Sequence, residues 1–277
     1  ELARFLGAVV PEVAFPAANI GGRPSANRYP TFRCSSPPAP GHGQPPPAEC
    51  PLCGTVADHF EGSGTAAGRP DCRCPNCGSL ERDRAMWIFL VDRTDVLDEP
   101  RRVLHVNTNP IFDRMAQMQG FHAERIAPLL HVRPVTRRNR WGRIIRPART
   151  DLAALDVPDN TYDLVILSHV LQQVTDDRRV LDELRRVIAP GGGVLLSVPT
   201  FGRATIDGGV VAPDSGRTRP LGGSSDVRAY GNDGVLESRL EDAGFTVMLE
   251  DVPSSMGTDE RVRFRLGPPE VLRWATL

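Results

Sequence analysis

The pattern of apolar and polar positions divides this chain into two parts. Residues 1–33 hold one short amphipathic run, and Arg33–Cys50 is too rich in proline to form a helix or a central strand. From Arg102 onward, short apolar runs alternate with segments whose apolar residues recur at helical spacing. This alternation predicts an α/β fold with a mostly parallel sheet, preceded by an extension and a linker.

The segments of the alternating part can be assigned one by one. The predicted strands cover 102–106, 122–127, 162–170, 194–199, 246–252 and 261–266. The predicted helices cover 110–120, 176–193 and 233–245, and a further helix lies within 78–97. Ser79 can cap the first turn of that further helix. The last two strands are joined by a short loop, so we expect them to pair antiparallel at one edge of the sheet.

Two pairs of closely spaced cysteines lie between the linker and the alternating part. Cys50 and Cys53 form one CxxC pair, and Cys74 and Cys77 form the other. Two such turns, each followed by glycine, can bring four thiolates into tetrahedral geometry around zinc and leave no open position for catalysis. We therefore predict a structural zinc ion. Disulfides in a secreted domain are the alternative, and Cys72 is an alternative to Cys74, although only Cys74 keeps the two-residue spacing.

Composition narrows the classes of function. The 277 residues, 40% of them hydrophobic, are enough for one ordinary domain and a small module. The net charge is −1, so the molecule as a whole does not require a nucleic acid or a membrane as partner. All 33 basic residues are arginine, which excludes a catalytic lysine. No apolar stretch is long enough to span a bilayer and no secretion signal is recognisable, so we expect a cytoplasmic protein.

Two longer segments resemble a known family. Asp151–Pro199 is similar to the middle of class I S-adenosylmethionine-dependent methyltransferases, and Cys74–Arg84 ("CPNCGSLERDR") resembles the subset with an N-terminal zinc ribbon. The resemblance implies a Rossmann-like methyltransferase fold with a seven-stranded sheet, S-adenosylmethionine as cofactor and a small-molecule methyl acceptor, as in secondary metabolism. It divides the chain into an extension and linker (1–49), a zinc ribbon (50–80) and a methyltransferase-like domain (81–277).

The same resemblance assigns roles to single residues. Glu124 would take the ribose hydroxyls, because a carboxylate can accept from both, and Asp151 with Leu152 would read the adenine. The residues expected to bind the cofactor are His105, Asn107, Asn109, Glu124, Asp151, Leu152 and Ser168. The residues expected to be catalytic are His169, Asp226 and Tyr230. The plainer alternatives are a solvated Glu124, a turn-capping Asp151, hydrogen-bonded structural histidines and a core Tyr230.

Three segments depart from the pattern of the zinc-ribbon relatives. Their "APE" after the first strand is replaced by Asn107-Thr108-Asn109, so that a glutamate able to hold the cofactor's amino group becomes a neutral amide. Their "HVLEHV" becomes "HVLQQV" (His169–Val174), and their "DHVRxYG" becomes "SDVRAYG" (Ser225–Gly231). Such changes beside an unchanged scaffold are expected where the substrate or the reaction has changed.

Two other functions therefore stay open. One is an enzyme of this fold that uses its pocket for chemistry other than methylation. The other is a nucleic-acid-binding or RNA-modifying protein, in which the arginines of Arg133–Arg149 contact phosphates and Trp141 stacks on a base. A solvated flap over the pocket is the plainer interpretation of this arginine-rich segment.

Overall fold

The computed structural model describes residues 46–62, 69–106, 110–128, 137–138, 144–145, 149–200, 202, 204–207, 226–267 and 271–277. In chain order the elements are β1 (Ala48–Glu49), β2 (Val56–Ala57), α1 (Glu81–Asp92), β3 (Arg102–Val106), α2 (Pro110–Met115), β4 (His122–Pro128), β5 (Arg137–Arg138), β6 (Ile144–Ile145), β7 (Arg149–Thr150), β8 (Tyr162–Ser168), a 3₁₀ turn (Leu171–Gln173), α3 (Asp177–Val187), β9 (Ile188–Ser197), β10 (Ile206–Asp207), β11 (Arg228–Ala229), α4 (Val235–Asp242), β12 (Thr246–Glu250), α5 (Val252–Ser255), α6 (Thr258–Arg263) and β13 (Leu272–Thr276). Among the described helices, none has the length and apolarity needed to cross a bilayer.

Seven strands form the central sheet in the order β12-β13-β9-β8-β3-β4-β7. Strands β9, β8, β3, β4 and β7 run parallel, and β13 is antiparallel to both of its neighbours, β9 and β12. This confirms the predicted mostly parallel sheet of seven strands. The strands that follow β3 lie first on one side of it (β4, β7) and then on the other (β8, β9), so the strand order reverses between β3 and β8. In open α/β sheets such a switch point forms a ligand-binding crevice at the carboxyl ends of the strands.

The prediction for the last strand was wrong. Much of the segment 261–266 lies in helix α6, and the final strand is instead β13, which inserts between β12 and β9. Acidic residues in the first turn of α6 and arginines in its last turn favour a helix here, because they complement the helix dipole. The alternation of Val262, Phe264 and Leu266 was misleading, since Val262 is 37% exposed and only the other two are buried.

Alternate residues of the parallel strands pack into two apolar cores. Leu104 and Leu167 belong to the core on the side of α3 and α4. Val103 and Ile166 belong to the opposite core, which includes Trp87 of α1. The second core continues without interruption into the cysteine-bearing module through Phe60, Cys50 and Cys74. The module therefore shares a core with the sheet instead of having one of its own.

The start of α1 differs from the expected one. The N-cap residue is Leu80, whose backbone N–H donates to the carboxylate of Asp83 over 2.9 Å. Ser79, the predicted cap, is fully buried and places its hydroxyl 3.2 Å from the sulfur of Cys50. The cap prediction was wrong because the cysteine module, and not the helix, uses this hydroxyl.

Candidate active site and metal centre

The crevice at the switch point is bordered by a sharply turned strand end. β8 ends at Ser168, which pairs in register with Ser197 at the end of β9, and both serines are buried. The next residue, His169, has a φ of 56°, in the left-handed region that a non-glycine residue rarely adopts. Its N–H donates to the Ser197 carbonyl over 2.8 Å, and its own carbonyl accepts from Gln173 Nε2 over 3.1 Å. These bonds hold a strained residue in one position, as is common at functional sites.

Asp226 interacts electrostatically with His169. Burial raises the pKa of the Asp226 carboxyl, and the interaction with His169 partly opposes that rise. The next residue, Val227, donates its N–H to the carbonyl of Gln172 over 2.9 Å, which fixes this segment against the 3₁₀ turn. Asp226 Oδ1 and Gln172 Oε1 are buried without a hydrogen-bond partner among the described residues. The hydrogen-bonding capacity of these two buried oxygens is thus unused among the described residues.

A buried cluster of charges anchors this segment from behind. Arg228 and Arg239 both contact Asp177, the first residue of α3, at 3.3 Å and 2.6 Å, and both also pair with Asp207 of β10. The Tyr230 hydroxyl donates to Asp177 as well, and burial raises its pKa. The hydrogen bond from Arg239 and the contact with Arg228 lower the pKa of Asp207 to about 2.

The cluster separates the expected catalytic residues from one another. Asp226 and His169 are together, whereas Tyr230 is fully buried in the interior with its hydroxyl bound to Asp177. Sequence reasoning missed this network, since Asp177 and Arg239 appear there as ordinary polar positions of amphipathic helices. The "VRAYG" segment, where a tyrosine follows an arginine by two residues, was the one signal available.

Glu124 does not lie where a ribose-binding acid was expected. It is the third residue of β4 and pairs with Leu104, two residues before the pair of Val106 and Ile126. Its carboxylate accepts a 2.9 Å hydrogen bond from Tyr162, the first residue of β8, and burial raises the pKa of this phenol. The carboxylate is thus engaged toward the amino ends of the strands, and this placement does not support the ribose role.

The remaining cofactor positions fall into three groups. Asp151 follows β7 directly at the carboxyl edge, where its exposed carboxylate accepts from Ala153 N–H over 2.9 Å, and Leu152 is buried. His105 is buried on the opposite side of β3 from Leu104, and its ring meets that of Phe112 in α2 edge-on at 6.2 Å. Asn107, Asn109, Trp141 and the side chains of Arg133–Arg149 lie outside the described residues.

The four cysteines of the two CxxC pairs converge on one point. All four sulfurs lie within 4.8 Å of one another, with 3.7 Å between those of Cys50 and Cys77 and 3.6 Å between those of Cys53 and Cys74. Sulfurs placed tetrahedrally at about 2.3 Å from zinc are about 3.8 Å apart, so the donor set fits this ion. No disulfide joins these thiols.

The glycine after each pair is required by the backbone. Gly54 and Gly78 have φ values of 74° and 72°, which other residues adopt only with strain. Their N–H groups donate to the carbonyls of Cys50 and Cys74 over 2.8 Å and 2.9 Å and so close the two turns. The CxxCG spacing in the sequence thus specifies a tight turn closed by the glycine N–H.

Comparison with known proteins adds what the geometry alone leaves open. Residues 127–196, from the end of β4 through β9, match a methyltransferase domain family. The chain is 31% identical to a malonyl-[acyl-carrier protein] O-methyltransferase of Halorhodospira halophila, over 53% of this chain and 48% of that protein. It is 33% identical to a ubiquinone/menaquinone biosynthesis C-methyltransferase of Hahella chejuensis, over 38% of this chain and 47% of that protein. The chain thus spans about half the length of these relatives.

A solved S-adenosylmethionine-dependent methyltransferase from Mesorhizobium loti aligns with 64% of this chain and 90% of its own, at 19% identity and a TM-score of 0.41. The family match covers β8 and most of β9. The α/β domain of the chain is thus similar in sequence to methyltransferases, and its match to the domain family extends over residues 127–196.

Proposed function

We propose that the protein transfers a methyl group from S-adenosylmethionine to a small-molecule acceptor. The observation that carries this proposal is the coincidence of two features. One is the family match over 127–196, and the other is the crevice at the carboxyl ends of β3 and β8, where His169 follows the matched strand β8. The two relatives are named for transfer to oxygen and to carbon, and both kinds of acceptor can lose a proton during the reaction.

We assign the adenine end of the cofactor site to Asp151 and Leu152. They follow β7 at the carboxyl edge, where a carboxylate can accept from an amine and a buried leucine can pack on a base. Asp151 now bonds to the N–H of Ala153 through Oδ1, which leaves its second oxygen for a ligand. Ser168, which is buried at the end of β8, is assigned to the wall of the same crevice.

In this proposal the ribose end of the cofactor site has no carboxylate. With Glu124 engaged by Tyr162, the next acidic residue along the chain is Asp151, because 125–150 contains no aspartate or glutamate. The end of β4 therefore offers no carboxylate to the ribose hydroxyls. We expect S-adenosylmethionine to bind through other contacts and weakly, since charge-assisted hydrogen bonds are the stronger kind.

We assign proton transfer to His169, with Asp226 as the group that orients it. The cofactor supplies the electrophilic methyl group when it is bound. A neutral His169 imidazole can accept the proton that an acceptor hydroxyl or activated carbon loses, and the neighbouring Asp226 carboxylate stabilises the resulting imidazolium. The Asp226–Tyr230 segment keeps this carboxylate in place through the Arg228 side of the charge cluster.

The test measures binding and turnover separately. Purified protein is titrated with S-adenosylmethionine by calorimetry and then assayed for S-adenosylhomocysteine with phenolic, carboxylic and quinol acceptors. His169→Asn is the informative variant, because asparagine tolerates the left-handed backbone but cannot act as a base. His122→Asn, at the exposed start of β4, is the matched control. Binding without turnover would favour non-methylating chemistry, and no binding at millimolar cofactor would refute the proposal.

A further inference from the structure

Arg84 is the most completely buried charge that the proposed reaction does not use. It belongs to α1, has no exposed surface and stacks its guanidinium 4.9 Å from the centre of the Phe60 ring. Its Nε donates to the carbonyl of Phe264 over 2.8 Å, and its two terminal nitrogens donate to the carbonyls of Cys72, Ser79 and Arg265 over 2.6–3.0 Å. Every acceptor is a neutral backbone carbonyl, so these bonds bring no negative charge.

A buried cation without a counter-charge is costly. Among the described residues no carboxylate forms an ion pair with Arg84, and its acidic neighbours in α1 are used elsewhere: Glu81 pairs with Arg69, and Asp83 accepts from the N-cap. The Arg84 charge interacts electrostatically with Cys50 and Cys74 of the four-cysteine group, in addition to Glu81 and Asp83. Zinc with four thiolates would carry two net negative charges.

Ser79 connects Arg84 to the group of four cysteines. Its carbonyl accepts from Arg84 over 2.7 Å and from the N–H of Cys74 over 3.0 Å, and its hydroxyl lies 3.2 Å from Cys50 Sγ. Cys72, which accepts from both terminal nitrogens of Arg84, is two residues from Cys74. Ser79 therefore links the guanidinium to the sulfur of Cys50 and to the backbone of Cys74.

The other side of Arg84 holds the segment that follows α6. The Phe264 and Arg265 carbonyls belong to a turn in which Arg265 has a φ of 49°. Arg265 in turn binds Asp71 of the cysteine module at 2.5 Å. Residues nearly two hundred positions apart are thus tied together at Arg84, and this segment leads into β13 in the central sheet.

We infer that Arg84 is the counter-charge of the tetrathiolate zinc centre and couples its occupancy to the docking of the 258–267 segment. The inference rests on the proposed zinc site, but not on methyl transfer. Arg84 is a positioning residue in this role, because it touches neither the metal nor a substrate. Lysine would keep the charge but lose the planar set of donors, so Arg84→Lys should retain only part of the effect.

The test compares Arg84→Met and Arg84→Lys with Arg93→Met, the control at the exposed end of the same helix. Zinc release to a metallochromic chelator is followed for each protein, with zinc content measured beforehand. We expect zinc affinity to fall by about 10- to 100-fold in Arg84→Met, as for other groups that support metal ligands, and by less in Arg84→Lys. Hydrogen exchange of the wild-type protein, with and without zinc, reports the second half of the inference: removal of zinc should increase exchange over Phe264–Leu266.

Each outcome decides something. Equal zinc affinity in Arg84→Met and Arg93→Met would overturn the inference, as would unchanged exchange over Phe264–Leu266 after zinc removal. If Arg84→Met does not fold, Arg84→Lys and the wild-type exchange experiment still decide. A wild-type protein that contains no zinc would overturn both this inference and the zinc site, while leaving the cofactor titration unaffected.

Discussion

The cysteine module and the crevice at the switch point differ in how much of their geometry a short sequence motif can specify, and the reason lies in how each is built. In the module, the four ligands come from two tight turns, and each turn is completed within five residues by a glycine N–H, as with Gly54 and Gly78. The residues proposed for the crevice, Asp151, His169 and Asp226, come from three separate connections. A local spacing specifies local geometry, whereas a distributed site depends on strand register and on buried contacts that no short motif encodes.

Removal of the predicted zinc ligands is expected to have the largest effect on stability. Cys74→Ser should lose zinc and much of the module's stability, because metal binding in such sites is coupled to folding. Since the module shares its core with α1, the thermal midpoint of the whole protein should fall. Metal analysis and thermal unfolding measure the two effects. Cys72→Ser is the matched control, because Cys72 lies outside the group of four converging sulfurs and its Sγ donates to the Arg69 carbonyl over 3.2 Å, so this variant should keep its zinc.

The next largest expected effect is a loss of unfolding free energy when the charge cluster behind the crevice is disrupted. Asp177→Asn removes the carboxylate that faces Arg228, Arg239 and Tyr230, and leaves two arginines in a buried site with Asp207 alone. Breaking a buried pair in this way typically costs about 3–5 kcal/mol of unfolding free energy. Denaturant unfolding of the variant measures it. A loss below about 1 kcal/mol would mean that the cluster is solvated and does not anchor Asp226.

The same cluster makes a prediction for acid pH. Arg239 and Arg228 lower the pKa of Asp207 to about 2, from an ordinary value of 3.8. A carboxyl group whose pKa is lower in the folded state stabilises the fold above its ordinary pKa, and this contribution is lost as the pH falls through the folded-state value. Asp207→Asn should therefore be less stable than the wild type at pH 6 and approach it below pH 2. Parallel curves at all pH values would contradict the assignment.

Variants of the proposed base test the crevice through its catalytic activity. His169→Asn and Asp226→Asn should each lower kcat with a responsive acceptor by about 10²-fold, the usual lower range for general acid–base catalysis, without changing cofactor affinity. Tyr230→Phe separates this from simple damage: its hydroxyl binds Asp177 in the interior, so we expect a loss of stability with kcat retained in the folded fraction. Steady-state kinetics and unfolding curves on the three variants give the comparison.

Particular residues show how much of the structure could be predicted from the sequence. The strand and helix alternation from Arg102 predicted the parallel strands, since burial on both faces leaves continuous apolar runs such as Tyr162–Ser168. It failed for 261–266, where alternating apolar residues lie in a short helix and turn. It also could not find the Asp177 cluster, because a charged residue in an amphipathic helix shows no sign of its burial until tertiary partners are known.

The smallest effects concern the two acidic residues that the family pattern treated as equals. Asp151→Ala removes a carboxylate that directly follows β7 at the carboxyl edge, so cofactor binding should weaken by about tenfold, the value of one lost charge-assisted hydrogen bond. Calorimetry with S-adenosylmethionine and S-adenosylhomocysteine measures it. Asp156→Ala, at an exposed position on the same connection, should bind both ligands like the wild type.

Glu124→Gln is expected to leave cofactor affinity within twofold of the wild type, because its carboxylate accepts from the Tyr162 hydroxyl near the amino end of β8 and not from a ligand at the carboxyl edge of the sheet. An amide oxygen can accept the same phenol hydrogen bond, so stability should change by no more than about 0.5–1.5 kcal/mol, the range for one such bond. Tyr162→Phe removes the donor and should cost a similar amount. If Glu124→Gln instead weakened cofactor binding more than tenfold while Tyr162→Phe did not, the carboxylate would have to turn toward the ribose when the ligand binds. The family's pattern would then describe the bound state of a residue that the free protein holds elsewhere.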